Sequence, residues 1–535
     1  MKSFFFSLPI LFFTLLASCG THSHEDKMIF RYNESAGIAT LDPAYAKDQS
    51  IIWPCRQLYN GLIQLDTALE VQPCIAKSWS ISEDGLTYTF TLRNDVYFHK
   101  NELFGAPDST RCVTAEDFEY SFGRIVDPTV ASPGAWIFSD MESCTAVDDT
   151  TFVVKLKEPF APFLPMLGMV YCSVVPREVV EHYGKEFRSH PCGTGPFRFQ
   201  YWKEGVKLVL RKNPIYFERD EQGAPLPYLD AVAVSFIVDR QTVFLEFVKG
   251  NLDFMNSLDA SYKDEILTLD GRLEEKYADR IDMVSTPYLN TEYLGFNMEG
   301  VRGSERSNVL LRQAINYGFD RKKMMKYLRN NVGTPGIYGF IPPGLPGATE
   351  RPIYEYDPER ARELLMEAGY PGGKGLGKLK LATTSNYLDL CKYIQQQLGL
   401  LGLEIEVDVN PPGALREQIA QGKVEWFRGS WVADYPDAEN YLSLFFSGNA
   451  APAGPNYTRF KDNGVDRLYQ EARGCREAGE RSRLYRAIDS LVMREAPVVV
   501  LYYDQILHFT HKNVSGLRSD AMNTLDLRRV KVDLI

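Results

Sequence analysis

The sequence predicts a mixed α/β protein with more than one sheet. Two stretches carry that prediction. Near the C-terminal third, Leu379-Lys380-Leu381-Ala382-Thr383 reads as a strand and Leu388 to Leu398 as a helix. Leu403-Glu404-Ile405-Glu406-Val407-Asp408-Val409 then alternates as a second strand. Strand, helix, strand at this spacing makes a βαβ unit, and therefore a parallel pair. Far upstream, Leu86-Thr87-Tyr88-Thr89-Phe90-Thr91-Leu92 alternates bulky apolar residues with threonine, the pattern of a strand with one buried face. The chain has 535 residues, 44% hydrophobic and 24% charged. At roughly 100–200 residues per domain, that length accommodates about three domains.

The first segment reads as an address rather than as structure. Lys2 precedes an apolar run from Phe4 to Leu16 that contains Pro9, and small residues follow it. A membrane span needs about 20 apolar residues, so residues 1–18 are expected to be a cleaved export signal. Leu16-Ala17-Ser18-Cys19 resembles a bacterial lipobox, which implies a lipid on Cys19 and a tether over residues 19–27. The protein is then expected outside the cytoplasm, as a periplasmic or cell-envelope lipoprotein held to a membrane.

Beyond the tether, Asp84-Gly85 is a turn signal leading into the strand at 86–92. Thr114-Ala115-Glu116-Asp117 is a capping-box helix start, after which Phe118, Phe122 and Ile125 share one face. Phe152 to Leu156, Lys207 to Leu210 and Val232 to Val238 read as strands. Asp357-Pro358-Glu359 opens another helix with an Asp cap and Pro at the first helical position. Ala361, Leu364, Leu365 and Ala368 follow at helical spacing, and Gly369 ends it.

Several chemistries are excluded or disfavoured. The net charge of -11 and the lack of a basic patch argue against nucleic acid. There is no G-x-S-x-G and no H-E-x-x-H, so the chain is expected not to be an enzyme, and no cofactor is implied. His508 and His511 lie in a segment that reads as a strand, so no metal site is expected. Gly372-Gly373-Lys374-Gly375-Leu376-Gly377-Lys378 nearly matches a phosphate-binding loop. Leu379 stands where that loop needs a hydroxyl, and the order helix, loop, strand is reversed. Apart from Cys19, eight cysteines remain, with no Cys-x-x-Cys. Disulfides in an exported protein and buried free thiols both fit them.

Several ordered segments resemble one family. Leu41-Asp42-Pro43, Leu58-Tyr59-Asn60-Gly61-Leu62 and the run Ala76 to Phe98 are similar to the opening of the bacterial extracellular solute-binding proteins of family 5, the oligopeptide and dipeptide carriers of ABC importers. Gly193-Thr194-Gly195-Pro196-Phe197, Leu294-Gly295-Phe296-Asn297, Arg312 to Tyr317 and Tyr356-Asp357-Pro358 follow in the family's order. The resemblance implies a two-lobed periplasmic-binding-protein fold with an extra domain, mixed sheets and two crossover hinge segments. Domain I would comprise residues 28–65, 190–285 and 505–535, domain II residues 66–189 and domain III residues 286–504.

It also implies a site and partners. In Trp426-Phe427-Arg428-Gly429-Ser430-Trp431-Val432-Ala433-Asp434-Tyr435-Pro436-Asp437, Asp434 matches the carboxylate that pairs with a peptide's α-amine. Arg428 matches a cation for the ligand's carboxylate end, and Trp431 an aromatic wall; Tyr435 belongs to the same motif. Lys47 and Gln49, after Leu41-Asp42-Pro43, align with residues that face the ligand, and Tyr502 and Tyr503 stand near the hinge. The implied partners are a peptide, the permease subunits of an ABC importer, and a membrane through the lipid; the protein is expected to be a monomer. Other solutes of the family (murein peptides, glutathione, nickel complexes, haem) and a peptide-sensing role without transport remain open.

Overall fold

Two long strands organise the molecule. Ile281–Phe296 and Val498–His511 pair antiparallel from Ile281 opposite His511 to Gly295 opposite Val498. The ladder shifts register between Pro287 and Thr291, where proline has no N–H to give. The structure is a computed structural model describing residues 27–105, 108–257, 262–299 and 308–533. The signal segment and Cys19 lie outside the described residues.

The long pair joins two halves of one eleven-stranded sheet. On one side, Phe254–Asn256, Ile29–Asn33, Ala231–Ser235, Lys207–Lys212 and Phe197–Lys203 form the first body. On the other, Trp426–Val432, Leu379–Thr383 and Ile405–Val409 form the second. Leu379–Thr383 pairs parallel with Ile405–Val409, and the helix Leu388–Gly399 makes the connection, as the βαβ reading expects.

A separate four-stranded antiparallel sheet belongs to the first body. Its strand Thr87–Leu92 buries Tyr88, Phe90 and Leu92 while the threonines alternate outward. The helix Ala115–Val126 opens with the expected capping box, Thr114 and Asp117 bonding each other's backbone N–H groups. It covers the sheet with Phe118 and Phe122, both fully buried, and Phe122 meets Phe152 edge-on at 5.4 Å. Burying such side chains contributes about 1.5–3 kcal/mol each. The helix Pro358–Glu367 likewise starts on the Asp357 carboxylate, which accepts from Arg360 N–H at 2.9 Å.

Some expectations shift. The strand expected over 232–238 ends at Ser235, because the Asn33 amide takes over beyond it. Asn33 Oδ1 accepts from Ile237 N–H at 2.7 Å and Nδ2 donates to Ile237 O at 2.9 Å. The glycine run at 372–377 is a close backbone crossing: a Cβ at Gly373 would stand 2.1 Å from Gly402 O. Glycine is therefore required there by contact rather than by phosphate. The eight described cysteines are all free thiols, five of them buried.

Candidate functional site

The site is built where the strand Trp426–Val432 leaves the second body. Its pairing with the long strand runs from Phe296 opposite Trp426 to Asn290 opposite Val432. The strand's period of two sends Arg428 and Trp431 to opposite faces. Ala433 to Ala438 then form a loop leading into the short helix Glu439–Leu442. Asn440, buried on that helix, holds the loop: its Oδ1 accepts from Trp431 Nε1–H at 2.8 Å and from Asp434 N–H at 3.2 Å. Its Nδ2 donates to Asp434 Oδ2 at 3.4 Å.

Asp434 lines a gap between the two bodies. Water reaches it, yet enough protein surrounds it that loss of solvation raises its pKa, against the opposing Asn440 bond. Among the described residues no cation pairs with it. Facing it from the first body is Tyr171, whose phenol is pushed up by burial and then by the charges of Asp434 and Asp48. Trp136, also of the first body, has its ring 6.1 Å from that of Tyr435. Tyr435 is buried and donates to the Glu439 carboxylate, as does Tyr469. Glu439 is thus a buried acid whose pKa is raised by desolvation, only partly opposed by the two phenols. The gap presents two carboxylates, Asp434 and Asp48, among aromatic rings, an environment that attracts an ammonium.

The other sequence candidates stand elsewhere. The Arg428 guanidinium is ion-paired with Glu292 and lies 3.2 Å over the Tyr387 ring. Asn290 Nδ2 donates to the same Glu292 at 3.1 Å. The cation expected to meet a ligand carboxylate is thereby neutralised inside the second body, and its withdrawal would take from the buried Glu292 its ion-pair partner. Tyr502 is buried beneath Arg329, whose guanidinium stands 4.5 Å from its ring and reaches Asp504 at 2.6 Å. Tyr503, on the opposite face, donates to Gly339 O at 2.5 Å inside the core. Gln49 Nε2 donates to Asn523 O at 3.2 Å, beside Trp53 Nε1 on the same carbonyl at 2.8 Å. Lys47 is exposed, two residues before the helix Gln49–Leu58. His508 and His511 sit on their strand bonded to Asn523 and to Phe247 O.

Residues outside those candidates complete the gap: Asn440, Glu439, Tyr171, Trp136 and Asp48. Glu439 and Asn440, five and six residues after Asp434, are the two within reach of the sequence motif. Trp136 and Tyr171 lie in short 3-10 turns with no periodic signal.

The two bodies also touch away from the gap. Arg473 reaches Asp140 at 2.5 Å and lies 4.7 Å over Phe160, while Ala161 N–H donates to Arg473 O at 3.0 Å. Arg476 donates to the carbonyls of Ser82 and Glu83 at 3.0 and 2.8 Å. Among the described residues, no helix is long and apolar enough to cross a membrane.

Comparison with known proteins agrees with this architecture. The family model described as "Bacterial extracellular solute-binding proteins, family 5 Middle" matches residues 70–453. The glutathione-binding protein GsiB of Escherichia coli O1:K1 / APEC is 28% identical over 94% of this chain and 93% of its own. The structure of the ABC transporter-associated periplasmic binding protein DppA from Helicobacter pylori, in complex with the peptide STSA, superposes with a TM-score of 0.77. It is 26% identical and covers 95% of this chain and 98% of its own. HbpA2 from Haemophilus parasuis, 24% identical, shares the fold with a TM-score of 0.81 over 95% of this chain and 100% of its own.

Proposed function

Because the chain belongs to family 5 of the bacterial extracellular solute-binding proteins, we propose that it captures peptides between two closing lobes and delivers them to an ABC-importer permease. The observation that carries this reading is Asp434. It is a carboxylate reached by water but partly desolvated by the protein around it, with an amide for its neighbour and no cation among the described residues, in an aromatic gap between the lobes. Such a group binds an α-ammonium, the one charge every unblocked peptide N-terminus carries. Trp431 and Tyr435 form the wall beside it, Lys47 stands at the first lobe's rim, and Arg428 braces Glu292 rather than meeting ligand.

The proposed division follows the sequence boundaries: residues 28–65, 190–285 and 505–535 as domain I, 66–189 as domain II and 286–504 as domain III. The continuous long strands near 285 and 505 support hinges there. An export signal over residues 1–18, a lipid on Cys19 and a monomeric protein anchored in the cell envelope complete the proposal. A second reading, glutathione, rests on the similarity to GsiB; glutathione is itself a short peptide with a free α-ammonium. Mass spectrometry of ligands released from the purified protein decides between them. A mixture of peptides supports the first reading, glutathione alone supports the second, and a non-amine ligand rejects both.

A further inference from the structure

A cavity of about 580 Å³ lies in the first lobe, and none of Asp434, Trp431, Tyr435 or Tyr171 lines it. Its wall holds six arginines and four carboxylates, an excess of positive charge in a chain whose net charge is -11. Two of the six arginines are held by carboxylates. Arg528 is bonded to Asp526, Glu218 and Gln64, and Arg93 to Asp95 at 2.8 and 2.9 Å.

Arg56 is different. It projects from the helix Gln49–Leu58 with its Nε buried and no hydrogen-bond partner among the described residues. The nearest carboxylates in charge terms, Asp520 and Asp526, already have other partners. Asp520 accepts from Met522 N–H, Thr524 N–H and the Thr524 hydroxyl. Asp526 accepts both arms of Arg528. Desolvation pulls the Arg56 pKa down, while these two acids keep it charged. A guanidinium has five donors in a planar fork that matches a carboxylate. Arg56 is half-exposed, its Nε is buried without a bond, and it stands in the wall of the cavity; a buried donor left unbonded is costly, and a carboxylate entering the cavity would satisfy it.

The cavity also reaches the lobe boundary. Thr67 and Asp66, at the tip of a hairpin, form part of its rim, and Leu69 of the same tip packs on the second lobe's core. Ala521 and Met522, which follow the rim residue Asp520, do the same, with Leu289 N–H donating to Ala521 O at 2.8 Å.

We propose that this cavity is a carboxylate-binding site with Arg56 as its principal contact. The carboxylate comes either from the far end of a ligand anchored at Asp434 or from a separate small acid. The first source would give the protein the terminal partner that Arg428, locked on Glu292, does not provide; that alternative rests on the peptide reading, whereas the second does not.

Two arms of one experiment test the site. In the first, succinate is titrated into wild type, Arg56→Gln, Thr67→Trp and Asp434→Asn, with thermal melting as readout. In the second, Ala-Ala-Ala and its C-terminal amide are titrated calorimetrically into the same proteins. A separate acid predicts a saturable succinate shift in wild type and Asp434→Asn that Arg56→Gln and Thr67→Trp lose. A ligand tail predicts that amidation weakens wild-type binding about 10- to 100-fold, the worth of a charged hydrogen bond, but Arg56→Gln binding less than about two-fold. Thr67→Trp blocks the rim while leaving Arg56 in place, so the test survives misfolding of Arg56→Gln. Failure of Ala-Ala-Ala to bind at all counts against the peptide reading, and the succinate arm then decides alone. The proposal is overturned if succinate has no effect and amidation costs nothing, or if inorganic phosphate acts where neither carboxylate does.

Discussion

Replacing Asp434 by asparagine keeps the side chain's size and its contact with Asn440 but removes its charge. The Asn440 bond is long, at 3.4 Å, and no described cation depends on the carboxylate, so nearly all the lost energy should appear in ligand binding. Two unit charges about 4 Å apart interact by about 4 kcal/mol at an effective dielectric of about 20. Water reaches Asp434, which reduces this to about 2–3 kcal/mol, or about 30- to 150-fold in affinity. The assay is calorimetry on a two-by-two set: wild type and Asp434→Asn, each with a free tripeptide and its N-acetyl form. Acetylation should weaken wild type by about the same factor as the substitution, and should weaken the variant little further. A coupling below about 0.5 kcal/mol, within the usual error of additivity, would show that Asp434 and the ligand amine do not meet.

Further outcomes are expected from the same structure. Because burial raises the Asp434 pKa, affinity for a free-amine ligand should begin to fall with acidification above the ordinary carboxylate range, approaching tenfold per pH unit; calorimetry from pH 7 to 4 checks this, and Asp434→Asn should be flat. Asp489 is fully buried and its pKa is raised to about 7 by desolvation. Its folded value lies above its unfolded one, so its contribution is intact below about pH 4 and is lost as pH rises through about 7. The loss is on the order of 4 kcal/mol, and urea unfolding of wild type against Asp489→Asn should display it as a flattened pH profile. Glu292→Gln, which leaves Arg428 buried opposite a neutral group, should destabilise the fold by about 3–5 kcal/mol in the same assay. Asp140→Ala removes a half-exposed partner of Arg473 and should favour the open state by up to about 1 kcal/mol, visible as a larger radius of gyration in small-angle scattering without ligand.

The parts of the fold legible in the sequence are those written in local pattern. The alternation at 86–92, the capping box at Thr114 and the βαβ unit at 379–409 each need only neighbours within a few residues, and each stands as expected. The long strand Ile281–Phe296 was not read as one element, because Pro287 and a run of polar residues interrupt its period. It exists because Val498–His511, more than 200 residues away, pairs along it. Arg428 illustrates the same limit within the site. Its motif identifies the residue, but its partner, Glu292, is 136 residues distant and is set by strand register alone. Trp136 and Tyr171 enter the gap only through the meeting of two bodies, a relation that no local window encodes.

The contacts of Arg473 and Arg476 with the opposite lobe lie outside the gap and include three bonds to or from main-chain atoms. Part of the stability of the lobe arrangement described here therefore belongs to the protein rather than to its cargo. Measured affinity is the intrinsic affinity of the closed form scaled by how much of the empty protein is already closed. That fraction multiplies every ligand's constant equally, so substitutions along this seam rescale the whole preference series without reordering it. Selectivity and sensitivity are thus set on different surfaces, and evolution or engineering can move one while holding the other.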